Sequence, residues 1–284
     1  MKILLIGADG QLGTEIRKVF GEEVMPLTHS EIEITDAGGS RKVIEKQSPD
    51  AVINTAAYHN VPDCEKNPET AFRVNAVGAK NLADICQAHN IPLVHLSTDY
   101  IFDGQKGSPY TEEDVPRPLN AYGISKLAGE FFVQTLEKHY TIRISSLFGV
   151  SGCRAKGGKN FVKTMLEFAK TRDRIQVTAN VVSSPTYARD AALKIKEILS
   201  GDYPPGIYHC ANRGACSWYE FALEIFRQTG ASIEVAARIE TEELEAIKRP
   251  LYTALATNKT NPLRSWKEAL KDYLKEENSS LKEA

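Results

Sequence analysis

Short apolar runs alternate with longer segments of helical period through the first half of the chain. The runs are ILLI at 3–6, EVMPL near 23–27, AVIN at 51–54, LVHLS at 93–97 and TIRIS at 141–145. Helical periodicity covers about Leu12 to Phe20, about 69–89 and about 122–138. Brief apolar runs bounded by turn residues predict strands buried on both faces, and strands spaced by helices predict parallel β-α-β units. The expected fold class is α/β, a Rossmann-type doubly wound parallel sheet whose ligands lie beyond the C-terminal ends of the strands.

After Gly149 the rhythm loosens into SGCRAKGGKN, where Gly, Lys and Arg concentrate, and a loop or ordered lid is expected there. Periodicity returns in FVKTMLEFAK, VTANVV, DAALKIKEIL and GIYHCA, which are expected to add strands and helices to the sheet. Ser217 to Gly230 reads as an amphipathic helix, and the tail beyond Trp266 as another with a frayed end. The expected division is 1–149 plus about 175–209 for the Rossmann domain, with about 150–174 and 210–284 forming a smaller C-terminal substrate-binding lobe. No internal repeat or low-complexity linker interrupts it.

The 284 residues suffice for a large core, and 42% hydrophobic with 25% charged residues is an ordinary globular balance. A formal charge of −2 supplies no basic field for nucleic acid or an anionic membrane, so neither is an expected partner. The apolar run after Met1-Lys2 is too short for a signal peptide or membrane span and reads as a buried strand. Five cysteines without C-x-x-C spacing, and six histidines without a spaced cluster, indicate neither disulfides nor a metal site, which fits a reducing cytoplasm. Trp218 reads as core of the smaller lobe.

Candidate chemistry begins at the end of the first strand. Gly7, Gly10 and Gly13 lie in GADGQLG at a strand-to-helix junction, where small residues let backbone approach a pyrophosphate and the helix N-terminus faces its charge. Ala8 departs from the G-x-G-x-x-G frame. The second strand ends near Leu27-Thr28-His29-Ser30 without a carboxylate to take a ribose 2′-hydroxyl, so a 2′-phosphate should be tolerated and NADPH accepted, with NADH as a further possibility. Asp36 could accept from an adenine amino group or cap the helix that follows.

Tyr122 and Lys126, in AYGISKLAGE, stand one turn apart on one helix face. An ammonium beside a phenol favours the phenolate, so the pair is expected to bring the phenol down towards the working range, where it can exchange a proton with a substrate oxygen. Ser97-Thr98-Asp99-Tyr100, at the C-terminal end of the fourth strand, places a hydroxyl at the same crevice. A phosphate cradle and a proton donor on one sheet edge point to hydride transfer.

The glycine turn, STDY and YGISK together resemble the extended short-chain dehydrogenase/reductase superfamily, and within it the dTDP-4-dehydrorhamnose reductases. The likeness runs through GADGQLG, EIEITD, NTAAYHNV, NPETAFRVNAVGAKNLA, STDYIFDG, NAYGISKLAGE, GGKNFVKTML, SSPTYARDAA, GIYHCAN, SWYEFA and KRP, in the family's order. The resemblance implies a catalytic Thr98, Tyr122 and Lys126; a pyrophosphate loop of Gly10, Gln11, Leu12 and Gly13; an adenine end at Asp36; and a cofactor wall of Ala56, Ala57 and Tyr58. It also implies Asp99, Asn160 and Arg249 on the nucleotide-sugar side, where Arg249 could bind a diphosphate bidentately.

Departures are visible. The family's Trp after its fifth strand is replaced in Arg143-Ile144-Ser145-Ser146, and Val61-Pro62 stands where Val-Asp is usual. Some relatives dimerise through magnesium; Glu15 fits one ligand position, but Arg189 with Asp190 beside it occupies the other, so the residues do not support a metal. The implied activity is reduction of the C4 ketone of dTDP-4-dehydro-β-L-rhamnose with NADPH, by a monomer or homodimer. The alternatives are another nucleotide-sugar ketoreductase or epimerase and a non-catalytic regulatory subunit of the same fold. Tyr100, where dehydratases carry an acid, argues against dehydration.

Overall fold

The structure is a computed structural model that describes residues 1–153, 157–240 and 247–283. Its centre is a parallel sheet of β1 (Ile3–Ile6), β2 (Val24–Leu27), β3 (Ala51–Asn54), β4 (Leu93–Thr98), β5 (His139–Ile144) and β6 (Gly206–His209), in the order β6-β5-β4-β3-β1-β2. The longer helices are α1 (Gln11–Phe20), α2 (Ala37–Gln47), α3 (Ala79–His89), α4 (Ala121–Val133), α5 (Phe161–Thr171), α6 (Ala188–Ser200), α7 (Trp218–Thr229) and α8 (Trp266–Glu283). The chain leaves β1 for β2 on one side and returns past β1 to β3 on the other, which opens a crevice beyond the C-terminal ends of these strands.

The all-apolar strands follow from having two covered faces. Ile3 and Leu5 pack with Ile16 of α1 and Ile195 of α6 on one side, whereas Leu4 and Ile6 pack with Ile44 of α2 and Leu82 of α3 on the other. A third core gathers aromatic residues away from the sheet: Phe148, Tyr187, Phe221, Trp266 and Tyr273.

Three elements differ from expectation. The periodic stretch at 69–89 is a helical run interrupted by a π turn, Arg73–Gly78, between Pro68–Phe72 and α3. A single helical period cannot reveal an inserted residue, yet this one has a structural use, described below. The helix expected to reach 138 closes at Val133, where Thr135 and Leu136 donate to carbonyls three residues back and tighten the chain into turns. VTANVV was expected to feed the sheet. Instead Arg174–Thr178 pairs with Glu234–Arg238 in a separate two-stranded sheet. Its alternation of exposed and buried residues suits a strand covered on one face only. Within SGCRAKGGKN, the amide of Cys153 donates to the Lys159 carbonyl at 3.1 Å across a turn, and residues 154–156 lie outside the described residues.

Buried charge ties the sheet to α4. Arg143 on β5 donates to both Glu130 oxygens, Nε to Oε1 at 3.0 Å and Nη2 to Oε2 at 2.8 Å, with both side chains withdrawn from solvent. His209 on β6 completes the cluster: its Nδ1 donates to the Ala256 carbonyl at 2.9 Å, and its Nε2 lies 3.4 Å from Arg143 Nη1.

Burial pushes His209 down to about 4, with Arg143 adding to the fall and Glu112 opposing it, and burial also holds His95 well below 6.5. An unfolded imidazole titrates near 6.5, so the folded chain binds fewer protons across the interval from about 6.5 to about 4. The stabilisation from neutral imidazoles is present above that window and lost as pH falls through it. Urea midpoints should therefore drop between pH 6.5 and 4, with His209 accounting for on the order of 2 to 3 kcal/mol. A midpoint flat across that interval would show that these rings are solvated.

Candidate active site

Two of the three loop glycines are required by the fold itself. Gly7 has φ of 81°, and a Cβ on Gly13 would sit 2.3 Å from the Gly7 carbonyl oxygen. Gly10 is different: its missing Cβ would meet only that oxygen, at 3.3 Å, and it lines a cavity of about 390 Å³. Gly10 is also the N-cap of α1, and no side chain caps that end. The first turn of α1 therefore has no N-cap side chain over it, an arrangement that suits a pyrophosphate. Gln11 braces the loop, donating through Nε2 to the Leu147 carbonyl at 2.9 Å. Leu12 lines the cavity beside it.

The opposite wall carries the proton-transfer group. Asn120 caps α4 by accepting from the Gly123 amide at 2.9 Å, so the helix starts with Tyr122 in its first turn and Lys126 one turn on, both lining the cavity. Thr98, at the tip of β4, accepts from the Tyr100 amide at 3.2 Å and its hydroxyl hydrogen-bonds the Tyr122 phenol. Burial pushes that phenol well above its ordinary range; the Thr98 bond works against the rise, and Asp99 adds to it. Lys126 is buried, donates to the Leu96 carbonyl at 2.5 Å, and is pushed down to about 8 by burial, against the pull of Glu130. Here the structure corrects the expected phenolate: the ammonium is aimed at the Leu96 carbonyl, desolvation dominates, and Tyr122 is held protonated.

The RmlD substrate binding domain family matches residues 1–279 of this chain. The chain belongs to that family. The spore coat polysaccharide biosynthesis protein SpsK of Bacillus subtilis is 37% identical over 98% of this chain and 99% of its own length. Among solved structures, a dTDP-4-dehydrorhamnose reductase of Clostridium acetobutylicum superposes with a TM-score of 0.90 at 39% identity, covering 97% of this chain and 99% of the other. Another from Bacillus anthracis, in complex with NADP, gives 0.90 at 35% identity with the same coverage.

Other residues with an expected family role occupy varied places. Ala57 lines the cavity, whereas Ala56 donates its amide to the Asn54 side chain at 3.1 Å and Tyr58 is bound through both backbone groups by Asn75 at 2.8 Å. Asn75 lies in the π turn and donates also to Ser125 of α4 at 3.0 Å, so one amide fixes the cofactor wall against the helix of Tyr122. Asp36 is exposed and caps α2, accepting from the Gly39 amide at 3.0 Å.

On the expected sugar side, Asp99 borders the cavity, but its oxygens are engaged by Thr98 at 3.1 Å, Ser145 at 2.8 Å and Thr253 at 2.6 Å. The amide of Asn160 is likewise engaged: it caps α5 through Lys163 N at 3.0 Å and donates to the Gly149 carbonyl at 2.7 Å and to Gln11 at 3.2 Å. Arg249 is half-buried in a segment that docks through Lys248 on Asn120 and does not line the cavity. Ser146, which replaces the family's Trp, has φ of 43° and hydrogen-bonds Ser183 at 2.7 Å. Pro62 opens the short helix Val61–Lys66, where a missing N–H costs nothing.

Two features were not foreseen. Glu31 brings a carboxylate back to the end of β2, accepting from Thr28 N at 2.7 Å and Thr28 Oγ1 at 2.8 Å, which hold its carboxyl below the usual range. Trp218 is not simply core: with Phe161, whose ring centre is 4.7 Å away, it lines the cavity that Tyr122 also lines. Away from this cavity, the metal positions of some relatives hold ion pairs. Glu15 receives Lys18 at 2.8 Å, and Asp190 receives Arg264 at 2.8 and 2.9 Å. Among the described residues no group of three His, Cys, Asp or Glu side chains is placed to hold a metal ion.

Proposed function

We propose that this chain reduces the C4 ketone of dTDP-4-dehydro-β-L-rhamnose to dTDP-L-rhamnose. The observation that carries the reading is the meeting of Tyr122, Thr98 and Lys126 with the uncapped α1 N-terminus around one cavity, in a chain that resembles such reductases from end to end. NADPH, when bound, supplies a hydride to the carbonyl carbon. Tyr122, kept protonated by its surroundings, gives its proton to the carbonyl oxygen as charge develops there, and Thr98 hydrogen-bonds the same oxygen. Lys126 keeps donors in excess of its bond to Leu96, and these would hold the nicotinamide ribose. Gly10, Gln11, Leu12 and Gly13 would take the pyrophosphate, with Asp36, Ala56, Ala57 and Tyr58 along the rest of the cofactor.

In this reading Trp218 and Phe161 supply aromatic surface for the nucleotide-sugar where Ser146 leaves none. Arg249 would reach the diphosphate; Asp99 and Asn160 act by holding the walls. The cofactor domain comprises 1–149 and the returning chain to His209, and the sugar lobe comprises about 150–174 and 210–284. The pairing of Arg174–Thr178 with Glu234–Arg238 supports counting that strand with the sugar lobe. No helix among the described residues is long and apolar enough to cross a membrane, and work on a cytoplasmic nucleotide-sugar pool is proposed. The direct test offers the purified chain the product of the preceding 3,5-epimerase and follows NADPH absorbance. Absence of turnover with a folded, NADPH-binding protein would overturn the assignment.

Cofactor choice should turn on the Thr28–Glu31 corner. The Thr28 and Ser30 hydroxyls can donate to a 2′-phosphate, while Glu31 can accept from a free ribose hydroxyl, so NADH should serve as a second donor. Ser30→Asp is expected to move the NADPH-to-NADH ratio of kcat/KM towards NADH by on the order of tenfold, about 1.4 kcal/mol, and Glu31→Gln to move it the other way. Ratios unmoved in both variants would place this corner away from the ribose.

A further inference from the structure

Four of the five cysteines are buried. Burial pushes Cys64 up to about 11, Cys86 to about 12 and Cys210 to about 12, and raises Cys216 as well. Thiols in such surroundings are poor nucleophiles. Cys153 stands apart. It is half-buried in the turn after Gly152, and its Sγ lies 3.1 Å from Nε2 of His59, which reaches it from the loop after β3. The other ring nitrogen settles the direction of that bond. Nδ1 of His59 is 3.3 Å from the Ala57 carbonyl, which can only accept, so in the neutral imidazole Nδ1 carries the hydrogen and Nε2 presents its lone pair to the thiol. A thiol donating to an imidazole whose far nitrogen is held by an acceptor is an arrangement that generates thiolate. Both side chains line the cavity that contains Thr98 and Tyr122.

We propose that Cys153 is a modification site, a thiol activated by His59 that exchanges with low-molecular-weight disulfides at the edge of the catalytic cavity. The Cys153 proton passes to His59 Nε2, and the thiolate attacks one sulfur of the incoming disulfide. A new S–S bond forms to Cys153 as the original one breaks, and the departing thiolate recovers the proton from His59. The disulfide is the sole co-reactant, and the exchange reverses with excess thiol. An adduct on Cys153 would take up room in the cavity that Thr98 and Tyr122 also line, so it should exclude the nucleotide-sugar; that consequence rests on the reductase reading, whereas the thiol chemistry does not.

The native full-length chain should be treated with an aromatic disulfide that releases a coloured thiolate, with the modified residue located by peptide mass spectrometry. One thiol is expected to react at least about tenfold faster than free cysteine and to map to Cys153; Cys153→Ser should abolish the fast phase and His59→Gln slow it about tenfold. Fast modification of another cysteine, or a rate at Cys153 that matches free cysteine or is the same in His59→Gln, would overturn the proposal. Oxidised glutathione is then the second probe. It should abolish turnover of the wild type, dithiothreitol should restore it, and Cys153→Ser should keep its own untreated rate. A stoichiometric Cys153 adduct that leaves turnover intact would overturn the occlusion. A chain without turnover before treatment would instead refute the reductase reading and leave the labelling result standing.

Discussion

Tyr122→Phe is expected to lower kcat by about 10² to 10⁴, the usual contribution of a general acid, while NADPH affinity stays within about threefold. The phenyl ring keeps the edge contact with Tyr100, whose centre is 5.8 Å away, so the wall survives and only the transferable proton goes. Because burial holds the phenol protonated, the effect should appear in the reducing direction at neutral pH, without a compensating fall in KM. Stopped-flow NADPH oxidation together with a cofactor titration checks both halves. A Phe variant that keeps more than about a tenth of the wild-type rate would move the acid elsewhere, and loss of NADPH binding would mean that the ring serves the cofactor first.

Glu130→Ala should be the most destabilising single change near the site. It leaves the Arg143 guanidinium inside the protein with no carboxylate, and breaking one side of a buried pair costs about 3 to 5 kcal/mol. For a chain of this size the corresponding fall in Tm is on the order of 10 °C. The double variant Glu130→Leu with Arg143→Met should recover much of the loss, because it removes both charges and keeps apolar volume. Thermal and urea unfolding of Glu130→Ala and of the double variant would decide the matter. A loss below about 1 kcal/mol for Glu130→Ala would show that water reaches Arg143. Since Glu130 is one turn beyond Lys126 on the helix that carries Tyr122 in its first turn, a milder turnover defect should accompany the lost stability.

What the sequence disclosed was local chemistry. The glycine turn sits between a strand and a helix that are both periodic, and Tyr122 with Lys126 lies within one turn, so each could be read without knowing a distant contact. Long-range partners lay beyond the reach of local reading. Asp99 accepts from Thr253, 154 positions away, and Asn160 donates to Gln11, 149 away, so side chains expected on the sugar side also fasten the walls. Glu31 is not legible in the strand's last residues, because the turn folds a later residue back onto Thr28. Trp218 packs against the third core as expected and lines the cavity as well, because an amphipathic pattern marks which positions leave water, not whether they meet protein or ligand. The Lys126 ammonium was assigned to the phenol because spacing gives proximity but not aim.

The bare beginning of α1 has a consequence for the life of the protein in the cell. Amide groups that the chain itself leaves without a capping side chain are completed by whatever anion the crevice accepts, so the bound dinucleotide finishes the helix as well as serving the reaction. Ligand that binds only the folded form at a hundred times its Kd adds about 2.7 kcal/mol to stability. The supply of dinucleotide, oxidised or reduced, would then set how much enzyme persists, and a fall in the whole pool would expose the apoprotein to proteolysis.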